Sequence, residues 1–210
     1  MKFEILSLNI GQIQNLVSVG GELRSSFAKV PVEQAYVHDR GLDGDEHADL
    51  KHHGGHDKAL CVFSAHHIPA YENLLGKSMN NPGFGENLTV DMADEEDVFI
   101  GDVFTCGEIK VQVTQPRQPC SKLGLFHHKN SLVKFMARSG WTGFYLRVLN
   151  GGLLKTQDTF TLVESDKLFS IATCNDLMFQ RNTKHDDLDA LVVHPALSSA
   201  WKDELRRKFK

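Results

Sequence analysis

The chain lacks the marks of a membrane, nucleic-acid or secreted protein. No apolar run reaches the roughly 20 residues of a spanning helix. The N-terminal Met1-Lys2-Phe3-Glu4-Ile5-Leu6-Ser7 carries an acid early and has no unbroken apolar core of a secretory leader. A cytoplasmic protein with no membrane partner is therefore expected. Positive charge is not in excess: 23 Lys+Arg against 27 Asp+Glu leave a formal net charge of -4, so no nucleic-acid partner is expected. Cysteine is sparse, and Cys61, Cys106, Cys120 and Cys174 are far apart with no C-x-x-C pair. That spacing argues against a structural zinc knuckle and against a disulfide framework. There is no internal repeat, low-complexity tract, coiled-coil heptad, or flavin or nicotinamide fingerprint. Two short strings lose their usual meaning here. Asn87-Leu88-Thr89 is a sequon without secretion, and Lys202-Asp203-Glu204-Leu205 does not stand at the carboxyl end.

What is present is an ordinary globular composition, 41% hydrophobic and 24% charged over 210 residues, enough for one large domain or one domain with a small appendage. Residues 3–10, 34–39, 59–63, 98–105, 108–114, 144–149 and 159–164 read as strands, with a hairpin across Cys106-Gly107. Helices are expected over 65–75, capped by Ser64 and stopped by Gly76, and over 130–138, stopped by Gly140. The segment 11–30 gives no clear period. Strands predominate, so residues 1–164 are read as a mainly β (α+β) domain, a closed or nearly closed β-barrel with peripheral helices over its ends. From Asp166 the strands stop. Helices over 170–181, 188–193 and 198–209, with Ser170 and Ser198 as caps, make residues 165–210 a small C-terminal three-helix subdomain. About 45 residues are too few to hold a core alone, so these helices either cover a barrel edge or dock a partner.

Three polar stretches carry the chemistry. In Thr114-Gln115-Pro116-Arg117-Gln118-Pro119-Cys120-Ser121-Lys122, two prolines restrict the backbone on both sides of Arg117. The guanidinium and the thiol are thereby held in a narrow range of positions. A neighbouring cation favours the thiolate, the form that binds metals and attacks electrophiles; the plainer alternative is a small buried loop residue. The long loop from Asp39 to Lys58 has neither helical nor strand period. Its Gly54-Gly55 pair lets the backbone approach a ligand and present amides to an anion, and Lys58 adds a point charge. Its four histidines, His47, His52, His53 and His56, match no zinc-finger or helical metalloprotease spacing, so a zinc hydrolase stands only as an alternative. In Gly83-Phe84-Gly85-Glu86-Asn87, Gly85 frees the chain and Asn87 can donate and accept together, as recognition of a ring amide requires.

His53-Gly54-Gly55, Gly83-Phe84-Gly85-Glu86-Asn87-Leu88 and Pro116-Arg117-Gln118-Pro119-Cys120, in that order, resemble the MOSC domain, named for the C-terminal domain of molybdenum cofactor sulfurases. The longer string from Gly41 to Ala59 is similar to the stand-alone bacterial YiiM-like branch. So are Asn175-Asp176-Leu177 and Pro195-Ala196-Leu197-Ser198 with Trp201 in the tail. One departure is His56, where proline is more usual. The resemblance implies a β-barrel binding a molybdopterin-type molybdenum cofactor. Cys120 is then the molybdenum ligand and the catalytic residue. Arg117 and Lys58 neutralise cofactor phosphate, and His53, Gly54, Gly55, Gly85, Glu86 and Asn87 line the pterin side. It further implies reduction of small N-hydroxylated compounds such as hydroxylaminopurine-type bases, a detoxification, with electrons from an external flavin or iron-sulfur reductase. The alternative is a cofactor or sulfur carrier without turnover. Pyridoxal phosphate is not expected.

Overall fold

The computed structural model describes residues 1–18, 21–49, 54–91, 93–179 and 185–209. In chain order the strands are β1 (Lys2–Ile10), β2 (Gln14–Ser18), β3 (Gly21–Ser25), β4 (Val30–Val32), β5 (Gln34–His38), β6 (Gly41–Leu42), β7 (Leu60–Ser64), β8 (Leu88–Val90), β9 (Val103–Cys106), β10 (Ile109–Pro116), β11 (Phe144–Asn150), β12 (Gly152–Lys155) and β13 (Thr159–Glu164). The helices are α1 (Ile68–Leu75), α2 (Ser121–Phe126), α3 (Ser131–Ser139), α4 (Ile171–Phe179), α5 (His185–Val193) and α6 (Ser199–Lys208). No described helix is long and apolar enough to cross a membrane.

A ring of strands runs β13-β9-β10-β11-β7-β8-β1 and closes because β1 also pairs with β13. β1 manages this by dividing its length: Lys2–Glu4 pair with β13, Ile5–Leu8 with β8, and Leu8–Ile10 with β4, which extends the sheet outside the ring. Closure leaves the ring without a free edge along those pairings. The mainly β barrel with peripheral helices is therefore as the sequence suggested. β7 and β8 pair in parallel, joined through α1, and every other pairing in the ring is antiparallel. Alternation sets which side chains fill the barrel. Ile109, Val111 and Val113 of β10 are buried, whereas Lys110 and Gln112 between them are partly exposed. The register of β10 against β11 then shifts between Val113 and Gln115, and from there Thr114, Gln115 and Pro116 are all buried. This irregularity bends the strand end over the barrel and starts the Arg117 loop from inside the protein.

Several local expectations are corrected. The strand expected over 98–105 begins only at Val103, because Asp102 Oδ2 accepts from Phe99 N at 2.9 Å and Gly101 takes φ 94°, turning the chain. Ser64 precedes a short 3-10 turn and makes no side-chain cap, so α1 starts at Ile68. The undecided segment 11–30 contains the β2–β3 hairpin, and α2 directly after Cys120 is an added element. Ser170 and Ser198 do cap: their hydroxyl oxygens accept from Thr173 N at 3.0 Å and Trp201 N at 3.2 Å.

Two apolar clusters hold these elements. The larger fills the barrel and continues into the C-terminal helices through Ile171, Cys174, Leu177, Leu191, Trp201 and Leu205. The smaller lies outside the barrel, where Phe63 stacks on Phe84 with ring centroids 3.7 Å apart, beside Tyr71, Leu123, Leu132 and Met136. Full burial of each such aromatic ring contributes about 1.5–3 kcal/mol. The second cluster thereby pins Phe84, and with it the Gly83–Asn87 turn, beneath α1, α2 and α3.

Candidate functional site

Three loops meet at one end of the barrel. The first leaves β10 at Pro116. Arg117 N donates to Gly143 O at 3.0 Å, and its buried guanidinium donates from Nη2 to the carbonyl oxygen of Phe84. Its Nη1 is buried without a partner. Cys120 follows in an extended conformation as the cap of α2, with Leu123 N donating to its carbonyl at 3.1 Å, and its side chain is partly exposed. The second loop brings Gly54 and Gly55, both at positive φ (77° and 87°), and Lys58. The third is the Gly83–Asn87 turn, with Gly85 at φ 72°.

Their meeting place is a pocket of about 60 Å³ that Gly54, Lys58, Gly85, Asn87, Arg117 and Cys120 all line. Gly54, Lys58, Gly85, Asn87 and Arg117, all singled out in the sequence, are thus gathered around the Cys120 thiol. Gly55 and Glu86 are not among its lining residues. Gly55 is exposed at the mouth of its loop. Glu86 is fully buried beneath, accepting from Phe84 N and Thr89 Oγ1, each at 2.8 Å, so it shapes the turn. His53 lies outside the described residues, as do Leu50, Lys51 and His52.

Of the other lining residues, His47 and Lys122 lie in the stretches singled out in the sequence, whereas Lys29, Cys61 and Tyr145 escaped sequence reasoning. Lys29 comes from the undecided segment 11–30 and pairs with the buried carboxylate of Asp45. Asp45 also accepts from Gly11 N at 2.7 Å and from Asn87 Nδ2 at 2.8 Å. Asn87 in turn accepts from Cys61 N at 3.1 Å and donates to Asn9 O at 3.3 Å. Its amide N–H groups are therefore committed to bracing the pocket wall. Cys61, hidden in the apolar run of β7, and Tyr145 of β11 lie on opposite sides of a ladder position and both line the pocket. Burial pushes the Cys61 thiol and the Tyr145 hydroxyl upward, away from ionisation. A strand alternation gives no hint that these two face a ligand space.

The lining charges are of one sign, although Lys29 is paired with the buried Asp45 behind the wall. Lys29, Lys58, Arg117 and Lys122 line the pocket, and no acidic residue does among the described residues. Burial lowers the Lys58 ammonium and the His47 imidazole below their usual ranges, although Asp57 and Asp49 work against the first shift and Asp45 against the second. Desolvated cations around an unpaired guanidinium nitrogen make a strong demand for an anion. Among the described residues, the group close enough to share an ion is His67, Asp94 and Glu95, elsewhere in the fold than the described part of the histidine-rich loop.

A profile of the MOSC domain matches residues 49–161, and this span contains Gly54, Lys58, Gly85, Asn87, Arg117 and Cys120. The chain belongs to the MOSC domain family. Uncharacterized protein YflK of Bacillus subtilis (strain 168) is 36% identical over 209 residues, covering 99% of this chain and 95% of that one. A protein named Reductase from Gibberella moniliformis is 32% identical over 165 residues, 76% of this chain but 29% of the fungal protein. The crystal structure of YiiM from Geobacillus stearothermophilus superposes with a TM-score of 0.83 at 30% identity, covering 99% of this chain and 100% of that chain. MOSC domains are associated with the molybdenum cofactor, and the donor set here suits such a group. A thiol supplies a soft ligand, and the orphaned Arg117 Nη1 with three ammonium groups suits an anionic arm. About 60 Å³ admits a metal centre or one anionic group, so a ring system has to extend into the adjoining groove of about 1040 Å³.

Proposed function

We propose that this MOSC protein is a molybdenum-cofactor-dependent reductase of N-hydroxylated compounds, hydroxylaminopurine-type bases among them. The observation that carries the reading is the pocket in which one partly exposed thiol is surrounded by four cationic residues and no acid. Cys120 Sγ would hold the metal, while Arg117 and Lys58, with Lys29 and Lys122, would hold the anionic arm. When bound, the cofactor supplies the two-electron couple. The net change is R–NHOH + 2 electrons + 2 protons → R–NH2 + H2O, with the electrons delivered by a separate flavin or iron-sulfur reductase.

The chain's own residues define the rest. The Arg117–Phe84 bond fixes the thiol loop against the Gly83–Asn87 turn, so the metal ligand and the pocket floor keep one relative position. Tyr145 and Cys61 make a wall that is uncharged at neutral pH. Lys58 lines both the pocket and the groove, so its ammonium stands where the two spaces meet. The fungal relative is named Reductase, which supports the reaction class. The test is reduction of 6-hydroxylaminopurine by cofactor-loaded protein with electrons supplied. Wild type turns over and Cys120→Ser does not. Retained cofactor with no turnover in either form refutes the reductase and assigns a carrier.

A further inference from the structure

Away from the Cys120 pocket, three side chains converge whose chemistry the proposed reduction does not use. His67 ends the short turn Ala65–His67 that leads from β7 into α1, and Asp94 and Glu95 lie in the loop after β8. One ligating atom from each, an imidazole nitrogen and two carboxylate oxygens, falls within 4.8 Å of the other two. His67 and Glu95 are buried, with His67 Nε2 2.7 Å from Glu95 Oε2, and Asp94 is half-buried. Tetrahedral zinc holds its ligand atoms about 3.4 Å apart. A small inward turn of Asp94 therefore closes the set.

Two of the three are already oriented as a metal site requires. The His67 ring stacks on Trp141, with centroids 4.8 Å apart and planes 7° from parallel, and Glu95 Oε1 accepts from Gly143 N at 2.8 Å. The backbone of both acids is fixed as well: Ala172 N donates to Glu95 O at 2.8 Å, and Asp97 N to Asp94 O at 3.0 Å. Supports of this kind hold a ligand at its angle to a metal. The Asp94 carboxylate differs, since among the described residues it accepts no hydrogen bond and makes no ion pair. It lines a cavity of about 470 Å³ together with Ser64, His66 and Asp97. Lys2 and Lys167 line that cavity too, so attraction for a cation has to come from the three ligands rather than from an acidic well.

We propose that His67, Asp94 and Glu95 form a site for a divalent ion of the zinc class, distinct from the Cys120 pocket, with its remaining coordination position open to the cavity. One imidazole and two carboxylates suit Zn²⁺ and lack the thiolate that selects softer metals. His67 Nε2 cannot share a proton with Glu95 and bind a metal at once, so the ion replaces that hydrogen bond. Nε2 then presents its lone pair and the ring proton sits on Nδ1. Bound there, the ion pins the loop after β8 to the start of α1. It also adjoins Gly143, whose carbonyl accepts from Arg117 N at 3.0 Å. The inference goes beyond the proposed reduction and does not rest on it.

Full-length protein cleared of loosely held metal by a chelator is titrated with Zn²⁺ by calorimetry, and amide hydrogen exchange locates the ion. Zinc should slow exchange at residues 93–98 and 65–68 of wild type. Asp94→Asn keeps the shape of a side chain that has no partner to lose, so it should fold as wild type does. It should weaken zinc at this site at least about tenfold and abolish the protection. His67→Gln should act in the same direction. His56→Gln, in the exposed part of the histidine-rich loop, should leave the protection at 93–98 unchanged. Equal affinity and equal protection in wild type and Asp94→Asn overturn the proposal. Protection confined to the histidine-rich loop or to the Cys120 loop overturns it as well, and so does an absence of zinc binding.

Discussion

Arg117 and Phe84, 33 residues apart in the chain, are joined by a hydrogen bond from the guanidinium to the backbone carbonyl. This bond makes one rigid body of the thiol loop and the Gly83–Asn87 turn, and it uses only part of the guanidinium. The unpaired Nη1 remains for a ligand.

Arg117→Met keeps much of the apolar stem but removes the donor and the charge. The Phe84 carbonyl is then left buried and unpaired, at a cost of about 1–3 kcal/mol in urea unfolding. Millimolar inorganic phosphate should raise the melting temperature of wild type and not that of the variant. Equal responses to phosphate would contradict the anion site.

The two adjacent glycines should differ. A Cβ on Gly54 would strike the His47 ring, whereas a Cβ on Gly55 meets nothing within 4 Å. Gly55→Ala therefore carries only the strain of its φ of 87°, about 1 kcal/mol. Gly54→Ala has the same kind of strain and also displaces a pocket wall. Phosphate affinity measured by calorimetry should fall markedly in Gly54→Ala and change little in Gly55→Ala.

His47 and His127 both titrate below the usual imidazole value of 6.5, in each case chiefly through burial. The unfolded chain then binds protons that the folded chain resists. Their contribution to stability is present above about pH 6.5 and is lost as pH falls through that value toward the lowered folded values. His127 also bonds through Nε2 to Gly83 O at 2.6 Å. Urea unfolding between about pH 7.5 and about pH 5, which brackets the ordinary histidine value, should show stability declining with acid. His127→Gln should flatten that decline, and an unchanged slope would rule out its part.

Ser198→Ala removes the cap of α6 and leaves Gln115 Oε1 without its partner. A loss of about 2–3 kcal/mol is expected from the cap and the buried acceptor together. Hydrogen exchange should accelerate in α6 and at Thr114–Arg117 while α3 is unaffected. Acceleration confined to α6 would show that the helix does not brace the thiol loop.

The barrel was legible because strand alternation and turn residues are local signals. Ile109 to Val113 alternate as a half-buried strand must, and Gly76 and Gly140 stop α1 and α3 in the left-handed conformation foreseen for them. The three site loops were legible for a similar reason, since glycine and proline there serve a backbone need. Lys29, Cys61 and Tyr145 were not. Each sits in a segment whose local pattern is satisfied by ordinary packing, and only barrel closure turns them toward one space. The bracing role of Asn87 was hidden as well, because its partners Asn9, Asp45 and Cys61 come from three distant segments. Helix α2 was missed because its six residues are too few to display a helical period.

Molybdenum content decides whether Cys120 holds the metal in this pocket. Protein produced in a host that makes the cofactor, purified as wild type and as Cys120→Ser, should be analysed for molybdenum per chain by mass spectrometry. About one molybdenum per wild-type chain and strong depletion in Cys120→Ser are expected. Equal molybdenum in the two proteins, or none in wild type, would contradict this role of Cys120.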